Sequence, residues 1–327
     1  MLPSLHTPEE KRAIAAAIKP ITPEDVEREM AQLKNIGTRA CDTNSRTLTG
    51  NSVVDYFTFL ERLETRGKYN LNFFEFLSNL DTFKQKKYIQ TMLQYYSSVK
   101  NKRGQKHEYK VLKEVYNICI SAINIMRPLT CMEIFTRYGS RRVLNFCAGW
   151  GGSAVAAAAL DLDAHYGVEI NTRLREPYAN LTVFLGSRSN TEFHWSFQDA
   201  AKADYAALGW IYDTVFVSPP YYFVEKYPEN VDYVSKEDMN VRFYIPAFQR
   251  SYDSLQPGGA FIVNVCRAVY DSVLFPMFGQ PAEIVPMKKS KRQNDHIEYM
   301  YVWRKPCAIV PAPLPIIHNQ RRTKKSN

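Results

Sequence analysis

The 327-residue chain has no apolar run long enough to cross a bilayer, and charges interrupt the only apolar stretch of its opening, MLPSLHTPEEKRAIAAAIKP. A membrane-spanning helix and a secretory leader are therefore not expected. The six cysteines, Cys41, Cys119, Cys131, Cys147, Cys266 and Cys307, include no CxxC pair and no metal-ligand spacing. A zinc site is not expected, and the cysteines read as reduced thiols of an intracellular protein, cytoplasmic or nuclear. The Gly-Lys-Ser/Thr ending of a phosphate loop is absent, and no internal repeat is visible. The nearest thing to a nicotinamide fingerprint, Gly149-Trp150-Gly151-Gly152-Ser153, lacks the third spaced glycine.

What is present suffices for a large core: 45% of the residues are apolar. The length suits one large domain or two moderate ones. The formal net charge of +9 is consistent with a polyanionic partner.

Residues 1–127 read as a mainly helical region. Apolar positions recur at helical spacing in VVDYFTFLERL (53–63), FFEFLSNL (73–80), KKYIQTMLQYYSSV (86–99) and YKVLKEVYNICISAINIM (109–126). Thr22, Pro23, Glu24 and Asp25 form a capped helix start. The pattern breaks at Arg127–Pro128, and from there to residue 305 strands alternate with helices. RRVLNFCAG, AHYGVEI, TEFHWSF, YDTVFV, GAFIVNV, AEIVPM and IEYMYVW read as strands. SAVAAAAL, TRLREPYANLTVFL, DAAKADYAALG and KEDMNVRFYIPAFQRSYDSL read as helices, the last kinked at Pro246. That alternation predicts an α/β fold with a doubly wound parallel sheet. The last two strands have only a polar loop between them and should close as an antiparallel hairpin. Residues 306–327, proline-rich and then basic, should form a flexible tail.

Two stretches carry chemistry. In VLNFCAGWGG, a strand runs into a glycine turn that lets a ligand approach the backbone closely. The next strand ends in Glu169, where an acid can accept from two ribose hydroxyls. The pair suits an adenosine-containing cofactor, with Asp199 after the third strand as an acceptor for an adenine amino group or, equally, as a helix N-cap. The second stretch is Ser218-Pro219-Pro220-Tyr221. Two prolines stop a strand abruptly. The Ser218 side chain and the Pro219 carbonyl can accept from an exocyclic amine, drawing it toward tetrahedral geometry and freeing its lone pair. Tyr221 offers a ring face to a base that has left its stack.

FCAGWGG, GVEIN, Asp199 and SPPY, in this order, resemble the S-adenosylmethionine-dependent DNA amino-methyltransferases, which methylate adenine N6 or cytosine N4. The resemblance covers about residues 128–305. It implies a Rossmann-like methyltransferase sheet and S-adenosyl-L-methionine bound by Phe146, Ala148, Gly149, Gly151, Glu169 and Asp199. It also implies catalysis by Ser218, Pro219, Pro220 and Tyr221 on a flipped base in DNA. Asn145 stands where many members carry aspartate. Serine at the first tetrapeptide position is commoner among cytosine N4 enzymes, so the base stays open. No large recognition domain follows SPPY, which leaves residues 1–127 as the place for target recognition. Basic loops at Lys100, Lys102, Arg103 and Lys106, and at Lys288, Lys289, Lys291 and Arg292, are candidate phosphate contacts. Tyr222, Phe223 and Tyr227 are candidates to line the base pocket. An RNA adenine methyltransferase and a catalytically silent nucleic-acid-binding subunit are the competing readings.

Overall fold

The computed structural model describes residues 5–42, 47–67, 69–101, 104–223, 231–287 and 298–307. The first two helices, α1 (Pro8–Ile18) and α2 (Pro23–Ile36), start in the same way. A threonine, Thr7 or Thr22, accepts from the backbone N–H three residues on, a proline follows, and an acidic side chain returns the bond. Next come α3 (Asn51–Glu64), α4 (Phe73–Ser78), α5 (Leu80–Lys84), α6 (Lys87–Gln94) and α7 (Glu108–Cys119). Phe59, Phe73, Phe74, Phe76, Phe83 and Tyr116 supply the aromatic centre of this helical unit. Val26, Met30 and Leu33 of α2 pack instead into a core shared with the sheet.

Helical periodicity predicts that α7 runs on to residue 126, but the helix ends at Cys119. Burial then alternates, with Ser121 and Ile123 inside and Ala122 and Asn124 exposed. That is the period of an extended segment, to which isoleucines are well suited. Pro128 opens α8 (Pro128–Tyr138), closed by Gly139 in the left-handed conformation.

Seven strands follow: β1 (Arg142–Asn145), β2 (Ala164–Glu169), β3 (Glu192–Phe197), β4 (Thr214–Val217), β5 (Ala260–Val265), β6 (Glu283–Pro286) and β7 (Tyr299–Arg304). Their order in the sheet is β3-β2-β1-β4-β5-β7-β6. The first five are parallel, and β7 runs antiparallel between β5 and β6. The doubly wound, Rossmann-like sheet and its closing hairpin are thus as expected. β2, β4 and β5 are buried along their whole length, as in a sheet covered on both faces. Helices α9 (Gly152–Ala159) and α10 (Arg175–Gly186) carry the first crossovers. The chain winds outward from β1 to β3, then returns to β4 on β1's other side. The carboxyl ends of β1 and β4 therefore flank the switch point, where a crevice opens in folds of this kind.

The helix expected over residues 199–209 does not form; the segment is a series of turns. Asp199 Oδ1 accepts from Ala201 N at 3.0 Å and Asp204 Oδ1 from Ala207 N at 3.0 Å. These local side-chain bonds compete with helical ones. Near Pro246 the run Lys236–Met239, Asn240–Tyr244, Ile245–Asp253 stays helical, but its middle turn is π. Pro246 has no N–H to donate one turn back, and the wider turn absorbs the break.

At Gly152, a Cβ would meet the Met126 carbonyl oxygen at 1.9 Å. The first turn of α9 therefore lies directly on the extended segment that precedes α8. Gly152→Ala should lower stability by about 2–3 kcal/mol, because neither backbone can yield to the other. Thermal melting checks this: an unchanged midpoint would mean the two backbones are not in firm contact.

Candidate functional site

A cavity of about 1130 Å³ opens at the carboxyl edge of the sheet. Its walls bring together the glycine turn, Glu169, Asp199 and the Ser218–Tyr221 tetrapeptide. The helical region forms the remaining wall, including Lys19, Asp55, Arg62 and Lys113. The volume exceeds the ~300–1,000 Å³ typical of a single small-molecule pocket.

β1 delivers the chain to the glycine turn. Gly149 and Gly151 have φ of +64° and +91°, values a side chain would strain. Asn145 uses both ends of its amide. Its oxygen accepts from Cys147 N at 3.1 Å and its nitrogen donates to Ser153 Oγ at 3.0 Å. Ser153 in turn meets Nε2 of His165 at 2.9 Å. A carboxylate could make the first bond but could not donate the second. The turn is held from other sides as well. Tyr178 donates its hydroxyl to the Gly149 carbonyl. Thr58 of α3 lies within hydrogen-bond reach of the Trp150 carbonyl, at 3.1 Å.

Glu169 is buried at the end of β2. One oxygen accepts from Gly149 N at 2.8 Å and the other from Asn171 N at 2.9 Å. Both oxygens are thereby oriented, and a carboxylate has about four acceptor positions. Its place on the cavity wall suits further donors such as ribose hydroxyls. Asp199 also lines the cavity, one residue after a tie between Gln198 N and the Glu169 carbonyl at 3.0 Å. It caps a turn, not a helix. Ala148 is anchored to β2 through the Val168 carbonyl at 2.9 Å. Phe146 lines the cavity, and its buried ring packs edge-on to Phe248 at 5.9 Å between centroids.

The tetrapeptide is held by residues that motif reading missed. Ser218 Oγ donates to Asn264 Oδ1 at 3.0 Å, and the Tyr221 hydroxyl reaches the same oxygen at 3.1 Å and Glu298 Oε2 at 2.9 Å. The Asn264 amide nitrogen donates to the Tyr299 carbonyl at 3.1 Å, which sets the amide's orientation. Burial and the Glu298 carboxylate push the Tyr221 phenol well above its usual range, so it stays a donor. The Tyr244 hydroxyl donates to the Pro220 carbonyl at 2.5 Å. Among the described residues the Pro219 carbonyl receives no such bond, and Pro219 lines the cavity with Ser218. Asn264 was visible as an oddity, the one polar residue inside FIVNV. Glu298, just ahead of β7, carried no signal.

Phe223 lines the cavity, whereas Tyr222 is tied by its hydroxyl to Asn240 at 2.7 Å. Lys102, Arg103, Lys288, Lys289, Lys291, Arg292 and Tyr227 lie outside the described residues, as does the tail from 308 onward. Met287 and Glu298, at the two ends of the second basic loop, both border the cavity. In the first basic loop, Lys106 pairs with Glu114 at 3.1 Å and Lys100 lies over the Tyr95 ring. Among the described residues no group of acids, histidines and cysteines is placed to hold a metal ion, and no helix is long and apolar enough to cross a membrane.

No family model and no curated protein matches this sequence. Parts of solved structures resemble parts of this chain at low identity. TrmN from Thermus thermophilus is 15% identical over 54% of this chain and 48% of its own, with a TM-score of 0.38. The N-methyltransferase NodS from Bradyrhizobium japonicum WM9 is 14% identical over 55% and 92%, with a TM-score of 0.35. A SAM-dependent O-methyltransferase from Thermotoga maritima is 15% identical over 59% and 71%, with a TM-score of 0.38. This chain thus spans about half the length of TrmN. Likenesses of this size decide nothing about chemistry, which has to be read from the cavity itself.

Burial lowers the His165 pKa from 6.5 to about 3. Between those values the unfolded chain binds a proton that the folded chain does not. The corresponding stability is complete above pH 6.5 and is lost as pH falls toward 3, roughly 5 kcal/mol at full titration. His165→Asn should therefore flatten the dependence of melting temperature on pH between 6.5 and 4. An unchanged slope would show that His165 is not held neutral beneath the turn.

Proposed function

We propose that this protein transfers a methyl group from S-adenosyl-L-methionine to the exocyclic amino group of a flipped base, adenine N6 or cytosine N4, in DNA. The observation that carries the reading is the state of Ser218. Ser218 Oγ lies 3.0 Å from Asn264 Oδ1, which can only accept, and a hydroxyl that donates there keeps lone pairs for the cavity. Pro219 follows on a proline-stiffened backbone and lines the same cavity, and its carbonyl is the second candidate acceptor. Two acceptors of this kind suit the two hydrogens of an –NH₂ group, and they disfavour its planar, delocalised form. A hydroxyl substrate would need only one.

The residues on the opposite wall fit the cofactor. Glu169 is pre-oriented for ribose hydroxyls, Asp199 lies near it as an adenine acceptor, and the glycine turn admits close approach. The cofactor supplies an electrophilic methyl on a sulfonium. Ser218 and Pro219 would orient the amine toward it; as the N–C bond formed the S–C bond would break, leaving S-adenosylhomocysteine, and the alkylated nitrogen would give up a proton to solvent. Tyr221, kept protonated and tied at its hydroxyl, holds its ring fixed for the base to rest on. The size of the cavity supports simultaneous occupation by cofactor and base. The net charge of +9 supports a polyanionic substrate.

Labelled methyl transfer to duplex DNA, single-stranded DNA and RNA, followed by digestion to nucleosides, tests the reading. N6-methyladenine or N4-methylcytosine is expected in a DNA pool. Product only in RNA would move the substrate class, and label in no pool despite cofactor binding would favour a silent subunit. Ser218→Ala should lower turnover about 10²–10³-fold, with cofactor affinity within about twofold. Glu169→Ala should instead weaken cofactor binding at least about tenfold. Equal effects of both variants on both quantities would overturn these roles.

A further inference from the structure

The cavity does not end at the glycine turn. It continues beneath α3, where Asn51, Asp55, Phe59 and Arg62 form a single stripe along its wall. Their spacing of four, four and three residues places them on one helix face. Thr58, beside that stripe, reaches the Trp150 carbonyl, so α3 is seated on the turn itself.

The charges along this wall do not balance. Asp55, 4% exposed, is bridged to both Lys19 and Arg62. Elsewhere on the wall Glu64 pairs with Lys11 and Arg173, and Arg66 pairs with Glu75. Lys113, 9% exposed, has no such carboxylate among the described residues. Its ammonium donates to Asn117 Oδ1 at 2.8 Å and lies over the rings of Tyr116 and Phe73 at 4.6 and 5.4 Å. Burial, with Arg62 and Lys19 nearby, lowers its pKa to about 7. A buried cation without a counter-ion is costly, and an anionic ligand would relieve it. Further along the same wall, one turn before Asp55, Asn51 Oδ1 is a buried acceptor with no partner among the described residues.

We propose that the helical region binds the amino-acid end of the cofactor: Lys113 and Arg62 receive its carboxylate, and Asp55 and Asn51 its ammonium. This rests on the cofactor assignment above. With the adenosine end at Glu169 and Asp199 and the reactive centre at Ser218, the remaining arm of the molecule must extend past the glycine turn. The groups beneath α3 are complementary to a zwitterion. A polynucleotide phosphate fits the position less well, because Lys113, Arg62 and Asp55 are each at most 9% exposed and a strand would have to thread the cavity to reach them.

Calorimetric titration with S-adenosylhomocysteine and with 5′-methylthioadenosine, which lacks the amino-acid arm, tests the assignment. Lys113→Met should weaken S-adenosylhomocysteine about 10–100-fold and leave methylthioadenosine within about twofold. Lys113→Arg should restore most of the loss. The melting temperature of ligand-free Lys113→Met, equal to or above the wild type, verifies that the variant folds and that the charge was uncompensated. Equal effects on the two ligands, or none on either, would overturn the proposal. So would unchanged S-adenosylhomocysteine affinity with a lost affinity for a DNA oligonucleotide. If the wild type binds neither nucleoside, the cofactor reading itself has failed, a different result from any of these.

Discussion

The carboxylate of Glu169 joins the two halves of the site. It stands at the end of β2 and holds two backbone N–H groups, Gly149 from the turn after β1 and Asn171 from the loop after β2. Two parallel strands share a ladder only as far as their last residues; beyond that the loops would move independently. A buried, doubly bonded carboxylate continues the coupling past the end of the sheet. Charge-assisted bonds of this kind are about twice as strong as neutral ones. The turn is then locked from behind by Asn145, Ser153 and His165, from the side by Tyr178, and from above by Thr58.

Asn264 does on β5 what Glu169 does on β2. A single amide oxygen receives Ser218 and Tyr221, while the amide nitrogen is committed to the β7 backbone. Burying an amide in an otherwise apolar strand is unfavourable unless its polar atoms find partners, and here both the oxygen and the nitrogen do. The result is a serine hydroxyl with a defined direction. In the reaction proposed above, that preorganisation would let a weak acceptor act on a weak nucleophile without reorganising at the moment of reaction. The antiparallel β7 matters for the same reason, since the carbonyl of Tyr299 fixes which end of the amide faces the cavity.

The helical region is part of this architecture, not an appendage to it. α2 shares the core of the sheet, and α3 rests on the glycine turn. The extended segment before α8 touches the first residue of α9 so closely that only glycine fits. A cavity bounded by a sheet edge on one side and a helix bundle on the other excludes water better than a sheet edge alone, and this strengthens every charge inside it.

Much of this was legible in the chain. All seven strands, the glycine turn, the acid at the end of β2 and the proline-stopped strand are local patterns, set by side-chain period and by the backbone limits of glycine and proline. Local signals failed where two of them competed. The run after Asp199 has helical composition, but two aspartates bond their own backbone first. The run after Cys119 carries apolar residues at intervals compatible with either period, and its contacts chose the extended form. What only the tertiary structure decided are the pairings over long separation. Ser218 meets Asn264 across 46 residues, and Thr58 meets Trp150 across 92. The isolation of Lys113 from any carboxylate among the described residues is of the same kind. No window of sequence contains both members of such a pair, and whether a buried polar group is satisfied depends on what the fold places beside it.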